Sequence, residues 1–324
     1  MRRRDVILLL IAAATSRIPP TIAQTTASVQ RIGWVEGYGA ADWGRVAEKL
    51  QSFGWVRGGN IRADVRVAAI SAELPTIAKE VVGARPNLIV TNGTTTTVAI
   101  LAETRTIPLL FFGIADPIGN RVVDSFARPG GNVTGFASYE PSLAGKWLQL
   151  LREVDPRIKR AAMLFNPDTT PSRSTPFVRE FEAAATALVI EPIIAFVQNL
   201  SDIEKAIATL ARDSLGALLV LPDDFTWRYR SQIINFTWRH RVPAIFGNEY
   251  AVATGGLMSY GPRESDLLQN LASYIDRILR GANVGELPVQ SPTHLELALN
   301  LRTARMLGLE IAPTLVARAD SVID

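Results

Sequence analysis

The feature that most constrains the fold is an alternation of short apolar runs with amphipathic segments. Runs such as NLIV and IPLLFF are apolar throughout, whereas the segment DWGRVAEKL carries Trp43, Val46, Ala47 and Leu50 at helical spacing. Continuous apolar strands separated by helices are typical of parallel sheets that are covered by helices on both faces. The alternation therefore predicts an α/β protein.

The alternation restarts at the segment LAGKWLQLLREV, which indicates two halves of the same kind. A chain of 324 residues is long enough for two domains. No long stretch rich in Pro, Gly or Ser separates the halves, so a tight hinge is favoured over a flexible tether. The predicted fold class is two doubly wound parallel-sheet lobes.

Residues 1–23 are expected to be a signal peptide. MRRR gives a basic start, VILLLIAAA an apolar stretch, and TIA the small residues before cleavage at Ala23. The apolar stretch is too short to span a bilayer, which argues against the alternative of a membrane anchor. The paired arginines leave export by the twin-arginine route or by Sec open. We therefore expect an exported protein of the periplasm.

Composition and motifs argue against several classes of function. The chain has no cysteine, which excludes disulfides, thiolate metal sites and thiol catalysis. Its formal charge of +3 falls to zero without the leader, so no nucleic-acid partner is expected. The two histidines lack a partner at metal-ligand spacing. Nucleotide-binding and nucleophile-elbow motifs are also absent, so we expect no metal, no cofactor and no enzyme.

Polar residues collect where the predicted strands end. Ligands bind beyond the carboxyl ends of strands in open parallel sheets, so these ends form the candidate site. Turn formation and helix capping explain the same residue types, and this alternative stays open. The candidate ligand-binding residues are Gly37, Tyr38, Gly93, Thr94, Thr95, Asp116, Asn166, Asp223, Asn248, Glu249 and Tyr250.

The segment TNGTTTT, residues 91–97, is the most unusual of these strand ends. Gly93 allows a turn with unusual φ, and Thr94 or Thr95 can cap the helix that follows. The N-terminus of a helix is electropositive and suits an anion such as a carboxylate. One threonine suffices for capping, so the presence of three further threonines in the run TTTT favours a ligand role. We predict that Gly93, Thr94 and Thr95 hold a ligand carboxylate.

Several longer motifs resemble one family. RPGGNVTGF, GKWLQLLREV, LVLPDDFT, GGLMSYGP and LPVQSPTHLELALNLRTARMLGL are similar to segments of the solute-binding proteins of the tryptophan/tyrosine-type ABC transporter family. The resemblance implies a type I periplasmic-binding fold, whose two lobes are joined by a three-crossing hinge near residues 137–139, 260–262 and 289–292. It places residues 29–137 and 261–290 in an N-terminal lobe and residues 138–260 and 291–324 in a C-terminal lobe.

The resemblance also implies a function. The protein is expected to capture a small carboxylate-bearing ligand, an amino acid or an aromatic acid, by lobe closure and to deliver it to an inner-membrane ABC permease. The expected roles are Asp116, Asp223 or Glu249 for an amino group, Asn166 and Asn248 for amide hydrogen bonds, and Tyr38 and Tyr250 for a flat or apolar part. Two alternatives stay open: a periplasmic hydrolase that uses Asp223 and Asp224, and a ligand-sensing partner of a membrane receptor.

Overall fold

The computed structural model describes most of the chain after the predicted signal peptide. The described residues are 29–37, 43–68, 71–114, 116–170, 175–213 and 215–324. The predicted signal peptide and Tyr38 lie outside these ranges. Within them, no helix combines the length and the apolar character that crossing a membrane requires.

The first half of the chain forms a five-stranded sheet in the order β2-β1-β3-β4-β5. Its strands are β1 (Gln30–Glu36), β2 (Ile61–Val67), β3 (Leu88–Asn92), β4 (Leu109–Ile114) and β5 (Val133–Ala137). All neighbouring strands are parallel, as the apolar runs predicted. The helices that connect its first four strands are α1 (Trp43–Leu50), α2 (Leu74–Gly83) and α3 (Thr94–Glu103). The four apolar residues named above on α1 are all buried.

The second half forms a seven-stranded sheet in the order β12-β11-β10-β9-β8-β6-β7. Its strands are β6 (Arg160–Phe165), β7 (Glu191–Phe196), β8 (Gly216–Val220), β9 (Ala244–Phe246), β10 (Met258–Pro262), β11 (Leu295–Asn300) and β12 (Ser321–Ile323). The helices of this half are α4 (Leu143–Val154), α5 (Thr175–Leu188), α6 (Leu200–Leu210), α7 (Asp224–Arg228), α8 (Arg230–His240), α9 (Glu249–Ala253), α11 (Leu301–Leu307) and α12 (Pro313–Val316).

One strand pair departs from the predicted parallel arrangement, because β11 is antiparallel to β10. The two strands are the outgoing and returning passages to a helix of the other lobe, α10 (Glu264–Leu279), so they run in opposite directions. The apolar residues of α10 lie in one buried cluster with Trp34 and Val46 of the first lobe. The chain therefore crosses between the lobes after β5, after β10 and before β11.

The predicted fold class, two α/β lobes with a crossing hinge, is confirmed. We retain the predicted lobe division as a proposal, with the second passage placed after Pro262, because β10 continues to that residue in the second sheet. Each lobe has its own buried clusters on the two faces of its sheet. Lobes with separate cores can move relative to each other without exposing either core.

Candidate functional site

A cavity of about 230 Å³ lies between the two lobes, at the carboxyl ends of their strands. From the first lobe, Asn92 at the end of β3 and Phe112 near the end of β4 line it. From the second lobe, Asp223 after β8 and Asn248 after β9 line it. The strand ends of both lobes thus face one gap.

The structure brings a part of the predicted ligand-binding residues to this cavity. Those that line it are Thr94, Asp116, Asp223, Asn248, Glu249 and Tyr250. Those that do not line it are Gly37, Gly93, Thr95 and Asn166. Tyr38 cannot be placed, since it lies outside the described residues.

The threonine segment adopts an arrangement that differs from the predicted one. The N-cap of α3 is Gly93, with φ 96° and ψ 163°, and no side chain caps the helix. Thr96 Oγ1 donates to the carbonyl of Asn92 at 2.6 Å, and Thr97 Oγ1 donates to the carbonyl of Gly93 at 2.7 Å. The prediction that Thr94 or Thr95 caps α3 is therefore wrong, because a backbone with positive φ selects glycine at the cap. Thr94 instead lines the cavity.

The anion at the N-terminus of α3 is a protein carboxylate. The hydroxyl of Thr95 donates to Asp224 Oδ2, which belongs to the opposite lobe. The approach is so close that a Cβ atom on Gly93 would collide with Asp224 Oδ1. A ligand carboxylate at this helix end, as predicted for Gly93, Thr94 and Thr95, would have to displace Asp224.

The environment of Asp224 changes its acidity. Burial raises the pKa of Asp224 from 3.8 to about 6, although hydrogen bonds from the side chain and backbone of Thr95 favour the ionised form. Burial disfavours a charged carboxylate because the low dielectric replaces water. Burying Asp224 between the lobes therefore costs less free energy when its carboxyl group carries a proton.

Asp223 holds loops together within the second lobe. Its Oδ1 accepts the amide N–H of Thr226 at 2.7 Å in a capping box of α7, and its Oδ2 accepts the amide N–H of Asn166 at 3.0 Å. Burial raises its pKa to about 7, and the neighbouring charge of Asp224 adds to this effect, while the two amide hydrogen bonds oppose it. Both oxygens are thus engaged, which favours helix capping over the predicted binding of a ligand amino group and over the alternative catalytic role.

The two predicted asparagines also have local partners. Asn166 Oδ1 accepts the amide N–H of Asp168 at 2.7 Å and so closes a turn after β6. Asn248 Oδ1 accepts the amide N–H of Ala251 at 3.1 Å as the N-cap of α9. Asparagine at these positions satisfies backbone groups, as the capping alternative anticipated.

The structure adds an arginine to the site that sequence reasoning missed. Arg230 lines the cavity, and its guanidinium carbon lies 4.6 Å from the ring centroid of Trp227 and 5.1 Å from that of Tyr250. Such stacking on aromatic faces stabilises a cation. Arg230 begins α8, and the start of a helix is an ordinary place for an arginine. The available signal was its position close to a strand end, since only the short helix α7 separates it from the sequence PDD.

Carboxylates dominate the charge of the cavity wall. They are Asp116, Asp223, Asp224, Glu249, Glu264 and Glu296. Glu264 pairs with Arg45, and Glu296 pairs with Arg263. Within the described residues, no group of three or more His, Asp or Glu side chains is arranged to hold a metal ion. The wall suits a ligand that offers hydrogen-bond donors as well as an anion.

Comparisons with known proteins agree with this architecture. The sequence profile of a family described as ABC transporter substrate binding protein matches residues 37–323. A tyrosine-binding protein of Clostridioides difficile (strain R20291) is 25% identical over 264 residues, which are 81% of this chain and 74% of the relative.

Two solved structures show the same fold. A conserved domain protein from Vibrio cholerae superposes with a TM-score of 0.83 at 24% identity, covering 91% of this chain and 100% of that one. An ABC domain in complex with L-Trp from Streptococcus pneumonia superposes with a TM-score of 0.82 at 22% identity, with the same coverage of 91% and 100%. The family profile spans most of the chain and confirms the resemblance seen in the motifs. The protein belongs to the family of ABC transporter substrate-binding proteins.

Proposed function

We propose that this protein captures a small carboxylate-bearing ligand in the periplasm and delivers it to an inner-membrane ABC permease. The observation that carries the proposal is the cavity of about 230 Å³ whose wall comes from both lobes. Pockets for drug-sized ligands have volumes of roughly 300–1,000 Å³, so this cavity favours a small metabolite. The proposed ligand is an amino acid or an aromatic acid.

Lobe closure is the proposed mode of capture. Asp116 lies on the first lobe and Tyr250 on the second, and both line the cavity. A ligand meets both walls only when the lobes are together, so it shifts the population toward the closed form. The hinge of crossing strands permits this motion without disturbing either core.

Charge supports a ligand with two kinds of group. An isolated buried carboxylate is costly, whereas a ligand that brings both charges satisfies groups of both signs in the wall. The name of the tyrosine-binding relative supports an amino acid as the ligand class. Asp116 and Glu249 are the proposed partners of its amino group, and Thr94, Asn248 and Tyr250 are the proposed further contacts.

The remaining parts of the proposal follow from the family and the sequence. Signal-peptide cleavage near Ala23 would release the mature chain into the periplasm, and the permease is the implied partner. We propose that the protein is not an enzyme. A hydrolase based on Asp223 and Asp224 is not favoured, because Asp223 caps α7 and Asp224 contacts Thr95. No observation favours a sensing role.

A thermal-shift screen tests the proposal. Purified mature protein is heated with each standard L-amino acid and with a set of aromatic carboxylates. A ligand at 100 times its Kd stabilises the native state by about 2.7 kcal/mol, so a rise of several degrees in Tm is expected. A flat response across both sets would contradict the proposed ligand class.

A further inference from the structure

Two residues of the cavity wall each carry a buried polar atom that has no hydrogen-bond partner in the described part of the chain. The atoms are Arg230 Nε, a donor on the second lobe, and Asn120 Oδ1, an acceptor on the first. Buried polar atoms in native proteins are nearly always paired, so each exception calls for an explanation. The two residues lie on opposite walls of the same cavity, so a ligand that bridges the lobes can satisfy one unpaired donor and one unpaired acceptor.

Arg230 is held in place and has no counter-ion. Its Nη1 donates to the carbonyl of Trp227 at 2.8 Å, and the rings of Trp227 and Tyr250, whose centroids lie 5.7 Å apart, both stack on it. No carboxylate in the described part of the chain forms an ion pair with it. Among the described residues of the cavity wall, Arg230 is the single cation.

Four of the six carboxylates of the cavity wall are engaged with groups other than Arg230. Asp224 is directed to Thr95 and Asp223 to backbone amides, while Glu264 and Glu296 pair with other arginines. Arginine stays protonated at every physiological pH and presents a planar fork that matches a carboxylate. The unpaired Nε edge of Arg230 thus has the chemistry to receive a ligand carboxylate.

Asn120 is oriented by its own amide. Its Nδ2 donates to the carbonyl of Asp116 at 2.7 Å, and its backbone N–H donates to the same carbonyl at 3.0 Å. Because Nδ2 must face a carbonyl, the amide oxygen is the atom left without a partner. The Asp116 carboxylate accepts the amide N–H of Gly119 with Oδ1 at 2.8 Å. This corner of the first lobe therefore offers acceptors to an ammonium or N–H group.

We propose that Arg230 and Asn120 are the two polar anchors of the ligand, with the carboxylate on Arg230 and a nitrogen donor on Asn120 beside Asp116. The inference rests on the proposed function and deepens it: the ligand is an amino acid, and its carboxylate binds Arg230 while Asp224 keeps the N-terminus of α3. Removing either anchor lowers the affinity for the amino acid, because each anchor binds a different end of the ligand.

The test combines variants with truncated ligands in titration calorimetry. The probes are the tightest-binding standard L-amino acid from the thermal-shift screen, its deaminated acid and its decarboxylated amine. Arg230→Gln is expected to weaken the amino acid and the deaminated acid by about 10- to 100-fold, as for loss of a charge-assisted bond, and to leave the amine unchanged. Asn120→Leu is expected to weaken the amino acid and the amine, but not the deaminated acid.

Control variants and the wild type distinguish a failure of the Arg230 anchor from a failure of the proposed function. Arg239→Gln removes an arginine of the same helix that pairs with Glu204 outside the cavity, and it should bind as the wild type does. Arg230→Lys, which keeps the charge but not the planar fork, should give an intermediate loss and serves if Arg230→Gln does not fold. Equal binding by the wild type and Arg230→Gln would overturn the anchor while the proposed function stands. If no amino acid binds the wild type, the proposed amino-acid ligand is contradicted, and the roles of Arg230 and Asn120 as its anchors are contradicted with it.

Discussion

At the scale of single residues, the roles of the carboxylates in the site depend on the hydrogen-bond donors that each of them contacts. Asp223 and Asp224 are neighbours in sequence, yet one caps a helix of its own lobe and the other reaches across the cleft to Thr95. A hydrogen bond between side chains of the two lobes forms only when the lobes are together. Asp224 therefore couples the protonation of the protein to the contact between its lobes.

The pH dependence of stability tests this coupling. The pKa of Asp224 is raised from 3.8 to about 6 in the folded protein, so the folded state binds more protons than the unfolded state between these values. Its contribution is thus destabilising above pH 6, and this penalty disappears as the pH falls through that window. Asp224→Asn mimics the neutral acid and should be more stable than the wild type at pH 7.5, by up to about 3 kcal/mol.

Chemical unfolding of both proteins at several pH values between 4 and 7.5 measures the difference. Asp223 lies beside Asp224 and its pKa is raised to about 7, but it is present in both proteins, so the comparison isolates Asp224 in the main. The gain in stability of the variant should shrink toward zero near pH 4. A difference that does not change with pH would show that the Asp224 carboxyl keeps its ordinary pKa.

A second prediction at this scale concerns Thr95. Thr95→Val keeps the shape of the side chain but removes the hydroxyl that donates to Asp224. Loss of this bond should weaken the closed form and reduce ligand affinity several-fold, because closure is linked to binding. Thr186→Val is a matched control, since the hydroxyl of Thr186 bonds only the carbonyl of Glu182 on α5 in the described structure. Unchanged affinity in Thr95→Val would show that the hydrogen bond between Thr95 and Asp224 does not stabilise the closed form.

At the scale of elements, the turn before α3 explains most of the threonine segment. Gly93 has a positive φ and lies against Asp224, while Thr96 and Thr97 return hydrogen bonds to the turn. The segment is thus shaped for a tight strand-to-helix turn and for contact with the other lobe.

A glycine pair tests this turn. Gly93→Ala should cost more free energy of unfolding than Gly54→Ala, although both glycines have positive φ, of 96° and 88°. An added Cβ meets Asp224 at position 93 and nothing within 4 Å at position 54. Gly93, with ψ 163°, lies in a region that is essentially restricted to glycine, whereas Gly54, with ψ 10°, lies in the left-handed helical region, so backbone strain and the collision with Asp224 both raise the cost at position 93. Adding Asp224→Ala to Gly93→Ala should recover the part of the cost that comes from the collision; no recovery would mean that the two residues do not meet.

The sequence predicted the elements better than their contacts. Buried runs such as β3 and β4 and the amphipathic α1 are local patterns, so their existence and order could be inferred. The cleft at the strand ends followed from the parallel sheets. The partner of Thr95 could not be inferred, because Asp224 lies far from it in sequence and meets it only through the packing of two lobes.

The same reason explains the missed anchors. Arg230 opens a helix and Asn120 lies in a turn, which are ordinary places for both residue types. What distinguishes them is a buried atom without a partner, and this is a property of three-dimensional structure alone. Asparagines at strand ends, in contrast, were predicted as ligands because their type fits, whereas Asn166 closes a turn.

At the scale of the whole molecule, two lobes meet through a shared cleft. The first sheet ends on Asn92 and Phe112 and the second on Asp223 and Asn248, and the cavity lies between them. The lobes have separate cores, so the free energy of closure comes from contacts in the cleft. Asp224 supplies one contact without ligand, and a bound amino acid would supply the others.

Small-angle X-ray scattering of the mature protein at pH 8, with and without its tightest-binding amino acid, tests this claim most directly. At that pH Asp224 is ionised, and the free-energy cost of burying its charge between the lobes favours the open form in the absence of ligand. The account predicts a smaller radius of gyration when the ligand is bound. Scattering profiles that coincide, although calorimetry shows saturation, would contradict closure of the two lobes on a ligand.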